Sequence, residues 1–151
     1  MGEYLRLARL YLVLLAIVTL GRWLMGTFGV PYERGHHVFS LVTLSVFGVL
    51  FYGAFCRRWL GYRLAQAALL GYLLGLATQI VIVLATAVSY GAGLDTYFNH
   101  PRALNVAAAL PFAAAMGRRL GALVANPLFS ALIGCIGWAV GGLLPESRRS
   151  E

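Results

Sequence analysis

The best candidates for chemistry in this chain are three histidines and two carboxylates that fall in two short polar segments. The five residues are His36, His37, His100, Glu33 and Asp95. The two segments, 29–37 and 93–102, are each flanked by apolar runs. Neutral imidazole is a common ligand of transition metals, and a carboxylate often orients such a ligand from behind. If the two segments meet, the histidines could hold a metal ion with the carboxylates as supporting groups.

The spacing of these residues matches no established metal or catalytic pattern. The chain also has no P-loop, no GxSxG and no HExxH motif. Its two cysteines, Cys56 and Cys135, have neither metal-binding nor redox spacing and are interpreted as small core residues. We therefore expect no catalytic residue and no cofactor, and metal binding by the histidines is kept as an alternative hypothesis.

The composition indicates what kind of scaffold carries these residues. Of 151 residues, 60% are hydrophobic and 11% are charged, whereas an ordinary soluble domain has roughly 25% charged residues. A soluble protein of this size has too much surface per volume to bury so much apolar area. We expect a single integral membrane domain over residues 1–151.

Four apolar stretches are long enough to cross a bilayer, for which a helix needs roughly 20 residues. They lie at about 7–28, 38–55, 64–92 and 120–144. Residues 102–116 are apolar but too few, which favours a short interfacial or re-entrant helix before the last span. The predicted fold class is an all-α polytopic membrane helix bundle with four transmembrane helices, and five spans is the alternative.

Arginines predict the orientation. Seven lie on the side of the N-terminus, namely Arg6, Arg9, Arg57, Arg58, Arg63, Arg148 and Arg149. Four lie on the opposite side, namely Arg34, Arg102, Arg118 and Arg119. The positive-inside rule then puts both termini in the cytoplasm of a bacterial or archaeal inner (plasma) membrane. A five-span topology gives the same tally, so only segment length favours four spans.

Small residues four apart predict close helix packing, which drives helix association in lipid. Two such pairs are Gly71/Gly75 and Gly137/Gly141. They are interpreted as contacts inside the bundle, or as contacts with other membrane subunits or a second copy of the chain.

The third span also carries a polar seam. Gln79, Thr86 and Ser89 share roughly one helical face. An amide in hydrocarbon needs a hydrogen-bond partner. For Gln79 the candidates belong to the second span and are Ser40, Thr43, Ser45 and Tyr52. Interhelical hydrogen bonding is the favoured interpretation, and a solute path is the alternative.

These patterns favour a small membrane protein without a catalytic site, most simply an accessory or scaffold subunit of a membrane assembly. A small oligomeric transporter or channel is one alternative, and a membrane redox or metal-binding protein using the histidines is another. The net charge of +7 comes from arginines that stand in ones and twos beside apolar runs. Such arginines anchor helices at headgroups, so the expected partner is the lipid bilayer and not nucleic acid.

Overall fold

The structure of the protein, a computed structural model, describes residues 2–144, and all the regular secondary structure among these residues is helical, with no β-strand. The helices are α1 (Gly2–Leu7), α2 (Arg9–Thr27), α3 (Tyr32–Gly35), α4 (Leu41–Leu60), α5 (Leu64–Gly91), a 3-10 helix (Pro101–Leu104) and α6 (Phe112–Gly141). Helices α2, α4, α5 and α6 are long and apolar enough to cross a membrane. The prediction of a four-helix membrane bundle is confirmed. Arg148 and Arg149 lie outside the described residues.

The last long helix begins earlier than the sequence suggested. It starts at Phe112 instead of residue 120 and runs for 30 residues to Gly141. A short helix does precede it, but this is one 3-10 turn and not a helix over 102–116. Asn105 ends that turn with a φ of 54°, which interrupts a helix because left-handed backbone cannot continue it. Residues 112–116 are apolar and rich in alanine, the best helix former, so they extend α6.

The predicted glycine pairs hold α4, α5 and α6 together. A Cβ atom added at Gly71 would lie 2.7 Å from the carbonyl oxygen of Ser130 in α6, and Gly75 faces the same serine. Gly137 and Gly141 face the backbone of α4. Because close backbone approach requires residues without a side chain, these glycines allow the three helices to touch. Both glycine pairs contact other helices of the same chain, so a contact with another subunit would involve other helix surfaces.

Helix α2 lies against this three-helix unit through two buried side chains, Tyr11 and Leu15. The Tyr11 hydroxyl is 2.7 Å from the hydroxyl of Thr78 in α5. Helices α4 and α5 are joined by a short turn in which Gly61 adopts a φ of 65°, the usual left-handed end of a helix. The predicted direct packing of these two helices is confirmed.

The polar seam of α5 is buried, but its predicted hydrogen bond is not formed. Thr86 and Ser89 donate to carbonyl oxygens one turn earlier in their own helix. Gln79 is only 7% exposed, so it does not face lipid. Among the described residues its amide has no hydrogen bond to Ser40, Thr43, Ser45 or Tyr52. It lines a cavity between α4, α5 and α6 instead.

Candidate functional site

The two polar segments meet at one end of the bundle. The single proton of the Tyr97 hydroxyl is shared in a bifurcated hydrogen bond between the carbonyl oxygens of Val30 at 2.9 Å and Pro31 at 3.0 Å. Arg102 forms an ion pair with Glu33 at 3.1 Å. Residues 29–37 and residues 93–102 are therefore in contact, which is the condition that the sequence left open.

The second segment is shaped by its own polar side chains. The Asn99 side chain accepts a hydrogen bond from the Thr96 amide at 2.8 Å and donates to the Leu94 carbonyl at 2.9 Å. The Thr96 hydroxyl lies 2.8 Å from the hydroxyl of Ser89, which fixes the segment to α5. This network turns Phe98 inward, where it is buried. The two aromatic residues at 97–98, to which the sequence analysis assigned no role, therefore have a structural role in this segment.

The histidines form an aromatic cluster around Tyr32. Its ring stacks on His100 at 4.4 Å and on His36 at 5.3 Å between ring centroids. The ring of His37 lies 3.7 Å from that of His36. The rings of His36 and His100 are therefore separated by no more than the sum of the two stacking distances.

This stacked arrangement does not form a ligand set for a metal. The Nδ1 atom of His36 is 3.0 Å from the carbonyl oxygen of Tyr32, and that of His100 accepts from the Arg102 amide at 3.3 Å. Glu33, expected to support a histidine, pairs with Arg102, and Asp95 is exposed. No group of three or more His, Cys, Asp or Glu side chains in residues 2–144 is arranged to hold a metal ion. The metal hypothesis gains no support from this geometry and stays a prediction.

Two groups of these segments have a shifted pKa. The pKa of Glu33 lies below its ordinary value, chiefly because a backbone hydrogen bond at Glu33 itself stabilises the charged form, and Arg102 adds to this. The pKa of Tyr97 lies above its ordinary value because burial disfavours the phenolate. At neutral pH Glu33 is thus a carboxylate and Tyr97 a neutral hydrogen-bond donor.

Beneath the two segments lies a cleft of about 230 Å³ that the sequence did not reveal. Its lining combines residues of the segments with residues of all four long helices. They are Arg22, Tyr32, Ser40, Leu41, Val42, Ile82, Tyr97, Phe98, Arg102, Ala103, Asn105 and Arg119. Three of these residues are arginines, and none is an acid, a histidine or a cysteine. We name this site the arginine cleft.

Arg22 is held by aromatic rings. Its guanidinium carbon lies 5.5 Å from the ring centroid of Tyr97, 5.8 Å from that of Tyr32 and 5.9 Å from that of Phe98. These distances allow cation–π attraction. The guanidinium also donates to the carbonyl oxygen of His36 at 3.3 Å. Arg22 is therefore half-buried below the two segments.

Arg119 approaches the cleft from α6. Its guanidinium donates to the carbonyl oxygen of Phe98 at 2.8 Å. Its Nε atom is buried and has no hydrogen-bond acceptor among the described residues. Arg118 and Arg119 were expected in a loop, but both belong to the first part of α6 because that helix begins at Phe112. No carboxylate in the described part of the chain pairs with Arg119 or Arg22.

The cleft thus concentrates three permanent positive charges beside one carboxylate. Glu33 pairs only with Arg102, and both of those side chains are largely exposed. Guanidinium groups bind oxyanions with paired, charge-assisted hydrogen bonds. The signal in the sequence was the position of Arg22 inside an apolar run, since charged residues at such positions are costly and commonly functional.

Comparison with known proteins assigns no function to this arrangement. No protein-family model, curated protein or solved structure matches the chain significantly. The arginine cleft is therefore the feature from which a function can be inferred.

Proposed function

We propose that this multi-pass membrane protein binds an oxyanion in the arginine cleft, and that it acts as a non-catalytic accessory or scaffold subunit. The observation that supports the proposal is the convergence of Arg22, Arg102 and Arg119 on one cleft that has a single carboxylate beside it. A phosphate or carboxylate group would be the natural counter-ion.

The energetic reason is the cost of leaving cations unpaired away from water. Burying a charge is unfavourable unless it is paired and hydrogen-bonded. Carbonyl oxygens and aromatic rings offset part of this cost for Arg22 and Arg119. The Nε–H of Arg119 has no acceptor among the described residues, so a bound oxyanion would supply one.

Binding is favoured over catalysis by the chemistry of the lining. An enzyme acting on an anionic substrate needs a general acid, a base or a nucleophile within reach. The residues that line the arginine cleft include no carboxylic acid, histidine or cysteine, so the hydroxyl groups of Ser40, Tyr32 and Tyr97 have no base beside them in the lining that could activate them. The arrangement suits recognition of an anion carried by a lipid, a solute or a partner protein.

A transporter is the second candidate, and one observation favours it. The cavity that Gln79 lines, about 210 Å³ in volume, shares Leu41, Val42 and Ile82 with the arginine cleft. It also has polar side chains, which are Ser45, Thr78, Gln79, Asn126 and Ser130. Such a connection would let an anion move from the cleft towards the middle of the bundle. Uptake of labelled phosphate into liposomes containing the protein distinguishes transport from binding alone.

The metal or redox alternative has no comparable support among the described residues.

The cleft is proposed to face the outside of the inner membrane, because the arginine bias puts both termini in the cytoplasm. The position to probe is His37, an exposed residue of the first segment. In a variant lacking Cys56 and Cys135, a cysteine introduced by His37→Cys should react with an impermeant maleimide added to intact cells. If the introduced cysteine reacts only after the cells are opened, position 37 faces the cytoplasm and the proposed orientation is wrong.

Titration calorimetry of the purified protein with inorganic phosphate tests the proposed binding. We expect saturable binding that is absent with chloride. The double variant Arg22→Gln/Arg119→Gln should lose at least about tenfold in affinity, because each charge-assisted hydrogen bond contributes about 1.5–3 kcal/mol. Arg34→Gln is the control, since Arg34 is exposed in the first polar segment and does not line the cleft. Equal affinity in the double variant and the control would overturn the proposal.

A further inference from the structure

We propose that the oxyanion is the phosphate of a membrane lipid, whose tail enters the cleft sideways from the bilayer between α4 and α6. This inference rests on the proposed function and adds the class of ligand. It draws on three further observations: the depth of the arginines, the lateral opening of the site, and unused polar groups below it.

The depth of Arg22 matches the level of lipid phosphates. Helix α2 has 19 residues, so it is about 29 Å long and nearly equal to a hydrocarbon core of about 30 Å. Arg22 lies five residues before Thr27, where α2 ends. Its Cα is therefore about 8 Å below the end of the helix, and its long side chain reaches back to the headgroup level.

The site opens towards lipid and not only towards water. Val42 lines both the arginine cleft and the deeper cavity, and it is 72% exposed. Phe129 lines the deeper cavity from α6 and is 59% exposed. Both residues belong to membrane-spanning helices, so the surface they border faces acyl chains. A free anion needs no such opening, whereas a lipid does.

The deeper cavity has hydrogen-bond donors where the ester groups of a lipid would lie. Gln79 precedes Ile82 of the arginine cleft by about one helical turn in α5. Its side-chain amide lines the cavity and forms no hydrogen bond with another side chain in residues 2–144. Asn126 adds a second amide from α6. Amide N–H groups at this depth can donate to ester carbonyls, which leaves Val42 and Phe129 to contact the acyl chain.

The three features define an amphipathic site whose parts follow the order of a phospholipid. The arginines correspond to the phosphate, the amides to the glycerol esters, and the exposed apolar residues to the tail. The cleft volume of about 230 Å³ favours a small anionic headgroup, and phosphatidic acid is the simplest lipid of that kind.

Binding of three probes to the full chain in detergent tests the inference. Phosphatidic acid carries both parts of the ligand, glycerol phosphate carries only the anion, and diacylglycerol carries only the tails. We expect phosphatidic acid to bind at least about tenfold more tightly than either fragment, since it alone combines charge pairing with apolar burial. If glycerol phosphate binds as tightly as phosphatidic acid, the lipid inference fails and the anion function stands. If diacylglycerol binds as tightly as phosphatidic acid, the phosphate adds nothing and the lipid inference fails. If neither phosphatidic acid nor glycerol phosphate binds, both proposals fail.

A variant at the lateral opening separates lipid binding from anion binding. Val42→Trp fills the opening, and its exposed position allows the chain to fold. We expect it to weaken phosphatidic acid binding at least about tenfold and to weaken glycerol phosphate binding by much less, although Val42 also lines the arginine cleft. Val13→Trp is the matched control, because Val13 is 56% exposed on α2 and lines neither cavity. Unchanged binding of phosphatidic acid to Val42→Trp would exclude entry between α4 and α6.

Discussion

Replacing Gly26 with alanine should loosen the segment that closes the arginine cleft. A Cβ atom added at Gly26 would lie 2.6 Å from both the Cα of Thr96 and the amide nitrogen of Tyr97. Ordinary van der Waals contact begins at 3.4 Å. Helix α2 and the segment must therefore separate by about 0.8 Å, and because both contacts are with backbone, no side-chain rotation can absorb the change.

Two energies of opposite sign decide the outcome. Overpacking of this kind costs about 1–3 kcal/mol, whereas alanine is favoured over glycine inside a helix by about 1 kcal/mol. The net loss in the free energy of unfolding should be about 0–2 kcal/mol, whereas the Gly117→Ala control has only the favourable alanine contribution. The same displacement moves the carbonyl oxygen of Phe98 away from Arg119, which it binds at 2.8 Å. Phosphate affinity should fall together with stability.

The assay is unfolding by dodecyl sulfate in mixed micelles, followed by tryptophan fluorescence, with phosphate titration of the folded protein. Gly117→Ala is the control, because Gly117 lies in helix α6 and an added Cβ meets nothing within 4 Å. It should keep or slightly raise the stability of the protein. If Gly26→Ala unfolds at the same dodecyl sulfate fraction as Gly117→Ala, the close approach of α2 to the segment is wrong.

Three further predictions concern single side chains. Tyr97→Phe removes the bifurcated hydrogen bond to the first segment and should cost about 0.5–1.5 kcal/mol in the same unfolding assay; no loss would mean that the hydroxyl is not engaged. The pKa of Glu33 is lowered by folding, so its stabilising effect is present above its ordinary pKa and is lost as pH falls through the lowered value. Glu33→Gln should flatten the acid limb of a melting profile and, by freeing Arg102, strengthen phosphate binding; a steeper limb or weaker binding would contradict the assignment. Gln79→Leu should be neutral or stabilise the lipid-free protein by up to about 1 kcal/mol, and destabilisation by a similar amount would show that the amide is hydrogen-bonded within the chain.

The sequence predicted the fold well because hydrophobic length is a strong signal in a membrane protein. Every spanning helix must satisfy its own backbone hydrogen bonds, so long apolar runs have few alternatives to a helix. The early start of α6 was missed because Arg118 and Arg119 read as the end of a segment. Their charge is tolerated inside the helix because Arg119 turns into the cleft and bonds to Phe98.

The site was predicted only in part. The position of both polar segments at the same end of the bundle followed from topology, since both connect spans there, although the contact between them did not. The arginine cleft did not, because its arginines come from three separate regions of the chain, and their convergence depends on how α2 and α6 pack. That packing could not be read from the order of residues. The histidines pointed to the two polar segments and not to the arginine cleft beneath them.

The most direct test of the arginine cleft is the nitrogen-15 NMR signal of the Arg119 Nε–H during titration with inorganic phosphate. This donor is buried and has no acceptor in the described part of the chain, so a bound oxyanion should change its environment more than that of any exposed arginine. We expect its resonance to shift saturably, to be absent in Arg119→Gln, and to be accompanied by no comparable shift at Arg34. An Arg119 resonance that stays fixed, or that drifts linearly together with Arg34, would contradict anion binding in the cleft.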